Sequence, residues 1–407
     1  MTYRFPSLEE RTCARHALRR FVFDRNADRC LSCGACVAGC PVADWSAERL
    51  DPRRMVRLVQ YGLGDKVVEQ DWIWQCTACA KCSYSCPAGV DLAGIVAQAR
   101  SLVPPADTPG TIQKTAELHR NKTNNMGLSE ADWLDNVEWM ADELRDDVPD
   151  LRVPVGEHGA ELFATINSKL PMYFPMDLQH IFKIFHAAGA SWTLPLRWWE
   201  GTNYAMFTGD DATWEETLRQ QVAEVEALGC KTLAYTECGH GYYATVAGYE
   251  RFGIVPKFDV IHVVQLYARW IREGRFELDP SRNPQSITLH DPCNAVRKAS
   301  MGGFASIADD ARFVLQQICA EPLIEMVPNR DANYCCAGGG GALLAGFKRA
   351  RLHYGRTKID QIDRTGAALV CAPCVNCLDS LLGLAQSYER PWHPVHMWTL
   401  LANAIVL

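Results

Sequence analysis

Long apolar runs are missing from this chain. The two best candidates for a membrane span, Ile181 to Leu196 and Val395 to Leu407, are short and carry Lys183, His186 or His396, so no transmembrane segment of its own is expected. The first residues, Met1-Thr-Tyr-Arg-Phe-Pro, lack the apolar stretch of a secretory leader. No basic cluster with interleaved aromatics occurs and the net charge is −7, which argues against nucleic acid as a partner. A dinucleotide fingerprint is missing too. Gly338-Gly-Gly-Gly341 follows a cysteine pair and has no later acidic partner. What remains is 407 residues, 48% hydrophobic and 22% charged, an ordinary globular composition with room for two or three domains. Cysteine alone is in excess. Eighteen of them without a leader point to a reducing, cytoplasmic compartment, where clustered thiols bind metal rather than pair as disulfides.

The first hundred residues carry the most specific pattern. Cys30-x2-Cys33-x2-Cys36-x3-Cys40-Pro41 is followed by Cys76-x2-Cys79-x2-Cys82-x3-Cys86-Pro87, the two-cluster ferredoxin spacing present twice. Three thiolates spaced by two residues fit three corners of a cubane, and the fourth reaches across to the other cluster. On that rule Cys30, Cys33, Cys36 and Cys86 hold one cubane 4Fe-4S cluster, and Cys76, Cys79, Cys82 and Cys40 hold the second. Two zinc knuckles are the competing reading, but zinc has no use for the third cysteine and the trailing Cys-Pro. The segment from Pro41 to Gln75 is long for a compact ferredoxin, and Met55-Val-Arg-Leu-Val within it is apolar at helical spacing. Cys13 lies outside both motifs and reads as a structural thiol. Residues 101–150 read as a helical linker, with Trp133, Leu134, Val137, Met140 and Leu144 on one face.

The second cysteine-rich region lies near the other end. Cys293, in His290-Asp291-Pro292-Cys293, then Cys335-Cys336 with the glycine run behind it, then Cys371-Ala-Pro-Cys374, make five thiols suited to one inorganic cluster. This region has an internal counterpart. Gly366 to Cys374 resembles Gly229 to Cys238, and Pro394-Val-His396 matches Val260-Ile-His262, both at an offset of about 135 residues. Each copy reads as helix, short apolar strand, chemistry-bearing loop, helix, so the expected architecture is α/β with parallel strands. In the first copy Tyr235 stands for Cys371, Trp198-Trp199-Glu200 for the cysteine pair, and Glu157, His158 and Gly159 near Cys293. Only Cys238 remains, opposite Cys374, so this copy should hold no cluster.

The arrangement Cys293, Cys335, Cys336, Gly338, Cys371, Cys374 resembles the cysteine-rich CCG domain of heterodisulfide reductase catalytic subunits. A helical ferredoxin module followed by two CCG repeats is similar to the fused catalytic subunit of the membrane-linked members. A degenerate first repeat with Thr236-Glu-Cys-Gly-His240, preceded by Ser191-Trp-Thr-Leu and Thr202-Asn203-Tyr204, is similar to the K subunits of sulfite-reductase-associated membrane complexes.

The resemblance implies an N-terminal helical ferredoxin domain (1–100), a linker (101–150), a degenerate CCG domain (151–284) and a CCG domain with a noncubane 4Fe-4S cluster (285–407). It implies that electrons pass through two cubanes to the noncubane cluster, where a disulfide or trisulfide is cleaved or formed. The substrate would be a small sulfur-carrier protein or a low-molecular-weight disulfide. The donor would be a membrane cytochrome b-type subunit, which places the protein on the cytoplasmic membrane face; a soluble flavoprotein donor fits equally. The alternative is a relay subunit of a quinone-linked dehydrogenase whose chemistry sits on a partner flavoprotein. Cys238 and His240 are the catalytic candidates, with His240 as proton donor to a leaving thiolate; the same loop also fits a buried relic and a core histidine. His290 is expected to orient its loop or donate to the cluster, and His262 and His396 to be scaffold. Cys377 is expected to be structural or to stand behind the ligands, and Cys230 and Cys319 to be core thiols.

Overall fold

A computed structural model describes residues 22–43, 45, 51–236 and 238–407; Cys13 lies outside them. The described part of the insert between the two motifs, from residue 51 on, is largely helical. Pro52 supplies a fixed first-turn φ and Asp51 accepts the Arg54 N–H at 2.7 Å, which starts helix α1 (Pro52–Gln60) with Met55, Val56 and Val59 buried. Asp91 caps α2 (Leu92–Ser101) in the same way, accepting from Gly94 N–H at 2.9 Å. The expected linker holds α3 (Gly110–Lys122) and α4 (Glu130–Arg145). The latter is capped by Ser129, and its Trp133, Val137, Met140 and Leu144 enter the central apolar core. An apolar stripe of that width has to be covered, so this segment packs against the α/β region instead of standing clear of it.

Two parallel sheets follow. The first is built from β1 (Leu162–Thr165), α5 (Met176–Ala187), β2 (Trp192–Thr193), α6 (Asp211–Ala227), β3 (Thr232–Tyr235), α7 (Gly239–Phe252), β4 (Asp259–His262) and α8 (Val263–Arg272). Its strand order is β2-β1-β3-β4, with Leu233 opposite Val260 and Tyr235 opposite His262. The apolar stretch from Ile181 is therefore core helix and strand, with Ile181, Phe182 and Phe185 fully buried. After β5 (Glu277–Leu278) come β6 (Ile287–Leu289), α9 (Ala308–Ile318), α10 (Lys348–Tyr354), α11 (Arg356–Asp363), β7 (Leu369–Cys371), α12 (Val375–Ser387), β8 (His393–Val395), α13 (Met397–Ala404) and β9 (Ile405–Val406). The second sheet runs β6-β7-β8, and a parallel bridge from Thr288 to Ile324 extends its β6 edge. β5 and β9 pair antiparallel and clasp the chain end to the inter-sheet connection. No helix among the described residues is long and apolar enough to cross a membrane.

The N-terminal module is bound to the second sheet unit through backbone. A methyl group on Gly339 would stand 2.6 Å from the Thr77 carbonyl oxygen, and one on Gly340, at φ +63°, 2.6 Å from that of Cys76. Arg100, fully buried, ties the joint. It donates from Nε to Ile73 O (2.8 Å), from Nη2 to Cys76 O (2.7 Å), and from Nη1 to Gly340 O (2.9 Å) and Phe207 O (3.0 Å). Arg297 donates to Cys79 O at 2.7 Å and Asp331 O at 2.6 Å, and Lys81 to Ala332 O at 2.6 Å. Because contact and φ both demand glycine, Gly340→Ala is expected to cost about 1–3 kcal/mol or more, read as a lower denaturant midpoint.

His262 and His396 are scaffold in a definite sense. Each caps the next helix, with Nδ1 accepting the Val264 N–H at 3.2 Å or the Trp398 N–H at 3.3 Å. An accepting Nδ1 requires a neutral ring. Burial holds His262 down at about 4 and His396 at about 3. Both folded values lie below that of the unfolded chain, about 6.5, so the unfolded chain takes up the proton first as pH falls. The stability they support is present above pH 6.5 and lost as pH falls towards 4, by about 3 kcal/mol for His262. His262→Asn keeps a cap acceptor without titrating, and should flatten the fall of the urea midpoint across that window.

Candidate functional site

The eight cysteines of the N-terminal module form two groups. Cys30, Cys33, Cys36 and Cys86 line one pocket, closed by Val56 and Leu92. Cys40, Cys76, Cys79 and Cys82 line a second, walled by Met55, Trp72 and Val96. The fourth cysteine of each motif has crossed to the other group. The loops share a conformation: φ is positive at Ser32 and Gly34 in the first and at Ala78 and Ala80 in the second. Such alternation turns successive N–H groups inward, and Ala78 N–H donates to Cys76 Sγ at 3.4 Å. Burial, then the neighbouring thiols Cys40, Cys79 and Cys76, push Cys82 well up. Thiols that raise one another's pKa and face a common pocket suit a cationic cluster that takes them as thiolates. Cys33 is exposed, whereas Cys79 is buried on the side facing the second sheet unit.

A chain of sulfurs leaves the second pocket. Cys79 neighbours Cys335, and Cys335 neighbours Cys336; Cys336 Sγ lies 3.3 Å from Cys377 Sγ; Cys377 neighbours Cys374, and Cys374 neighbours Cys238, all as free thiols. It spans all three structural parts of the molecule. Cys336 is drawn well below the usual thiol range by the hydrogen bonds of Cys335 and then Cys377, and Cys374 by those of Cys238 and then Cys377. Two helix N-termini face each other here, since Cys374 stands at the N-cap position of α12 and Cys238 at that of α7. Partial positive charge at both favours thiolate. Cys293 lies within electrostatic reach of Cys79 and Cys336, and burial pushes it up to about 12. Cys335 Sγ donates to Thr77 Oγ1 at 3.3 Å and accepts the Ala337 N–H at 3.2 Å.

Cys371 is not gathered with these sulfurs. It ends β7, where side chains alternate between faces, and it points to the central core beside Cys319, while Val370 and Ala372 face the side that holds Cys336, Cys374 and Cys377. Cys377, one helical turn into α12, stands where Cys371 was expected. His290, Cys336 and Cys377 place one ligand atom each within 4.8 Å of one another. The buried Nε2 of His290 has no partner, as suits a side chain facing a bound inorganic group. The spacing Cys374-x2-Cys377 was there to be read. Its rival was Cys371-x2-Cys374, and only the strand's pleat separates them.

His240 does not fit the role of proton donor. Its Nε2 faces the Asn203 carbonyl at 2.9 Å and so carries the proton, the ring stacks on Phe207 at 4.2 Å, and burial holds it down at about 4. It is the core histidine of the alternative reading. Cys238 does face the site, and Asn376 Nδ2 donates to its Sγ at 3.8 Å. Sequence reasoning missed the buried cations. Lys358, fully buried on α11, donates to Asn333 Oδ1 at 2.8 Å within reach of Cys336 and Cys335, and burial brings it down to about 7. A lone lysine in a helix has no sequence signal that separates it from a surface residue.

The loops of the first unit are filled by side chains. The Tyr235 phenol bonds Gln221 (2.8 Å) and Thr245, and its ring closes against Gly201 and Gly241. Glu200 is held by the N–H and hydroxyl of Ser168 (2.7 and 2.6 Å) and the N–H of Thr202 (3.0 Å), and Trp199 stacks on Trp133 at 4.5 Å.

Residues 29–91 match the 4Fe-4S dicluster domain family, and residues 287–381 the CCG cysteine-rich domain family. The chain is similar to the "Hdr-like menaquinol oxidoreductase iron-sulfur subunit" of Archaeoglobus profundus, 25% identical over 80% of this chain and 69% of the relative. It is similar to one component of the dihydromethanophenazine:CoB–CoM heterodisulfide reductase of Methanosarcina mazei, 24% identical over 93% of this chain and 94% of the relative. It is also similar to the "EtfAB:quinone oxidoreductase" of Syntrophomonas wolfei, 24% identical over 79% of this chain but only 45% of the relative.

The geometry predicts opposite outcomes for two neighbouring cysteines. Cys377→Ala should lose about four irons per chain, while Cys371→Ala keeps the full complement and loses only about 1 kcal/mol of stability. Iron assay and urea titration of both variants read this directly.

Proposed function

We infer that this chain, an iron–sulfur protein of the heterodisulfide-reductase-like kind, carries electrons along a fixed line to a thiol-lined site and there reduces or forms a sulfur–sulfur bond. The observation that carries the reading is the contact of Cys79 with Cys335, which joins the second pocket of the dicluster module to the cysteine pair of the CCG domain. Electrons come in on the side of Cys33, the exposed cysteine of the first group, pass to the group around Cys79, and reach Cys335 and Cys336.

The ligands of the third centre are Cys293, Cys335, Cys336, Cys374 and Cys377, with Cys238 facing them from the first unit. An iron–sulfur cluster of noncubane type held there supplies a place where electrons arriving singly are joined in a two-electron change at sulfur. The reaction balances as RSSR′ + 2 e⁻ + 2 H⁺ → RSH + R′SH, and reversed for oxidation. Lys358 and Arg297 offset the thiolate charge from within the protein. Cys238, at the start of α7, faces these sulfurs from the first unit and is placed to meet the substrate sulfur.

We also propose that the chain is organised as a ferredoxin module (1–100), a packed connector (101–150) and two copies of one α/β unit (151–284 and 285–407), the first without a cluster. Support comes from the matched strand orders, from His262 and His396 capping equivalent helices, and from Cys238 and Cys374 standing at the N-cap positions of another equivalent pair. The partner is a membrane-bound redox protein of cytochrome b type or a soluble flavoprotein, and the substrate is a small sulfur-carrier protein or a low-molecular-weight disulfide. This sets the protein at the cytoplasmic face of a membrane.

The likeness to a protein named "EtfAB:quinone oxidoreductase" supports one second reading, a relay whose chemistry lies in a partner. Electron paramagnetic resonance separates the two. The enzyme reading expects about twelve irons per chain, and a signal of the oxidised protein that changes on adding a thiol and is lost in Cys335→Ala. About eight irons, or a spectrum indifferent to thiol, would leave only the relay.

A further inference from the structure

His290 follows directly on β6 and is 1% exposed, and its Nε2 has no hydrogen-bond partner among the described residues. A ring nitrogen of this histidine lies within 4.8 Å of both Cys336 Sγ and Cys377 Sγ. A buried imidazole nitrogen left open towards two thiols can do one of two things. It coordinates a metal through a lone pair, or it presents an N–H to sulfur. The place of the ring proton decides which.

The other side of the ring fixes that place. The Asn333 amide faces Nδ1 at 3.5 Å. Its Oδ1 accepts from the Lys358 ammonium at 2.8 Å and from the Tyr334 N–H at 2.8 Å. Neither of these groups can accept, so the amide is held with its oxygen towards them. Its Nδ2 then donates to Asp291 O at 3.2 Å and turns its other N–H to His290 Nδ1. Nδ1 is therefore the accepting nitrogen, and the proton sits on Nε2. The ring holds no second proton, because burial, and then Lys358, keep His290 down at about 3. The neighbouring carboxylate is engaged elsewhere: Asp291 accepts from Arg312 at 2.8 and 3.0 Å and from the Arg330 N–H at 2.6 Å. A buried N–H without an acceptor costs about 1–3 kcal/mol. The acceptors that this one faces are sulfurs.

We propose that His290 is a hydrogen-bond donor to sulfur at the third centre and not one of its iron ligands, with Asn333 and Lys358 as the positioning residues that hold it so. The inference rests on the reading that Cys336 and Cys377 bind a cluster, and deepens it. A protonated Nε2 has no lone pair to give to iron. A neutral imidazole also keeps its N–H, so the ring acts through its dipole and not as an acid. Donors to sulfur favour the more negative, reduced state of an iron–sulfur centre. His290 therefore raises the potential at which electrons arriving from the dicluster module are taken up.

The test uses the cluster-loaded full chain, with iron assay and a redox titration followed by electron paramagnetic resonance, in the wild type, His290→Phe and His290→Gln. His290→Phe is expected to keep about twelve irons. The midpoint potential of its third centre should fall by about 59 mV, a tenfold change in a one-electron equilibrium, while the two cubanes keep theirs. His290→Gln retains a side-chain N–H, and its potential should lie between those of the wild type and His290→Phe. Pulsed resonance of the wild type carrying isotopically labelled histidine should show the weak nitrogen coupling of a hydrogen-bonded ring, where a ligating nitrogen couples strongly. An unchanged potential in His290→Phe at full iron content, an equal fall in both variants, or strong coupling in the wild type overturns the proposal. Should His290→Phe lose iron, the nitrogen coupling decides alone, and strong coupling or none overturns it. About eight irons in the wild type would overturn the reading beneath the proposal, and the proposal with it.

Discussion

The joint between Gly339–Gly340 and the backbone of Cys76 and Thr77 is the contact on which the rest depends. Two loops that each present cysteines meet there main chain to main chain, with no side chain between them. Only glycine allows that separation, and only it accepts the φ at residue 340 without strain. Close approach leaves carbonyl oxygens facing away from water, and Arg100 and Arg297 satisfy them with planar donors that reach several at once. The two guanidinium groups also bring positive charge to a place crowded with thiols. One device therefore fixes the distance between the N-terminal module and the CCG domain and moderates the cost of gathering anionic sulfur.

The line of sulfurs from Cys79 to Cys238 follows from that joint. Its members come from separate stretches of chain, and each is delivered by backbone: a loop of positive-φ residues for Cys79, the glycine turn for Cys335 and Cys336, helix N-termini for Cys374, Cys377 and Cys238. Helix starts serve twice because their free N–H groups and dipoles favour negative charge where thiolates are wanted. The first sheet unit contributes the facing wall, and its own loops are filled by Tyr235, Glu200 and Trp199, each with partners. Cys238 escapes this filling because it sits at the tip of α7 and points outward, across to Cys374.

The eight ferredoxin-type cysteines and the parallel α/β character were legible in the chain because both are local signals: fixed spacing within a loop, and short apolar strands alternating with amphipathic helices. The choice among Cys371, Cys374 and Cys377 was not. Both CxxC pairs satisfy the spacing, and what excludes Cys371 is the face of β7 on which it falls, a property of the sheet's packing. His240 misled for a related reason. A histidine two residues after a cysteine looks poised for proton transfer, but the Asn203 carbonyl that fixes its proton lies 37 residues away in the chain.

The sequence by itself determined which loops can bind iron–sulfur clusters and that α/β units follow them, since spacing and periodicity need no tertiary knowledge. Tertiary structure alone decided the order of the sites, the placing of Cys377 rather than Cys371 beside Cys336 and Cys374, and the burial of Lys358 and Lys298. Those depend on which backbone segments come within hydrogen-bond distance across chain separations of tens to hundreds of residues, such as the 240 between Arg100 and Gly340. Desolvation and sulfur–sulfur contact act through space, so their outcome is set only when the packing is.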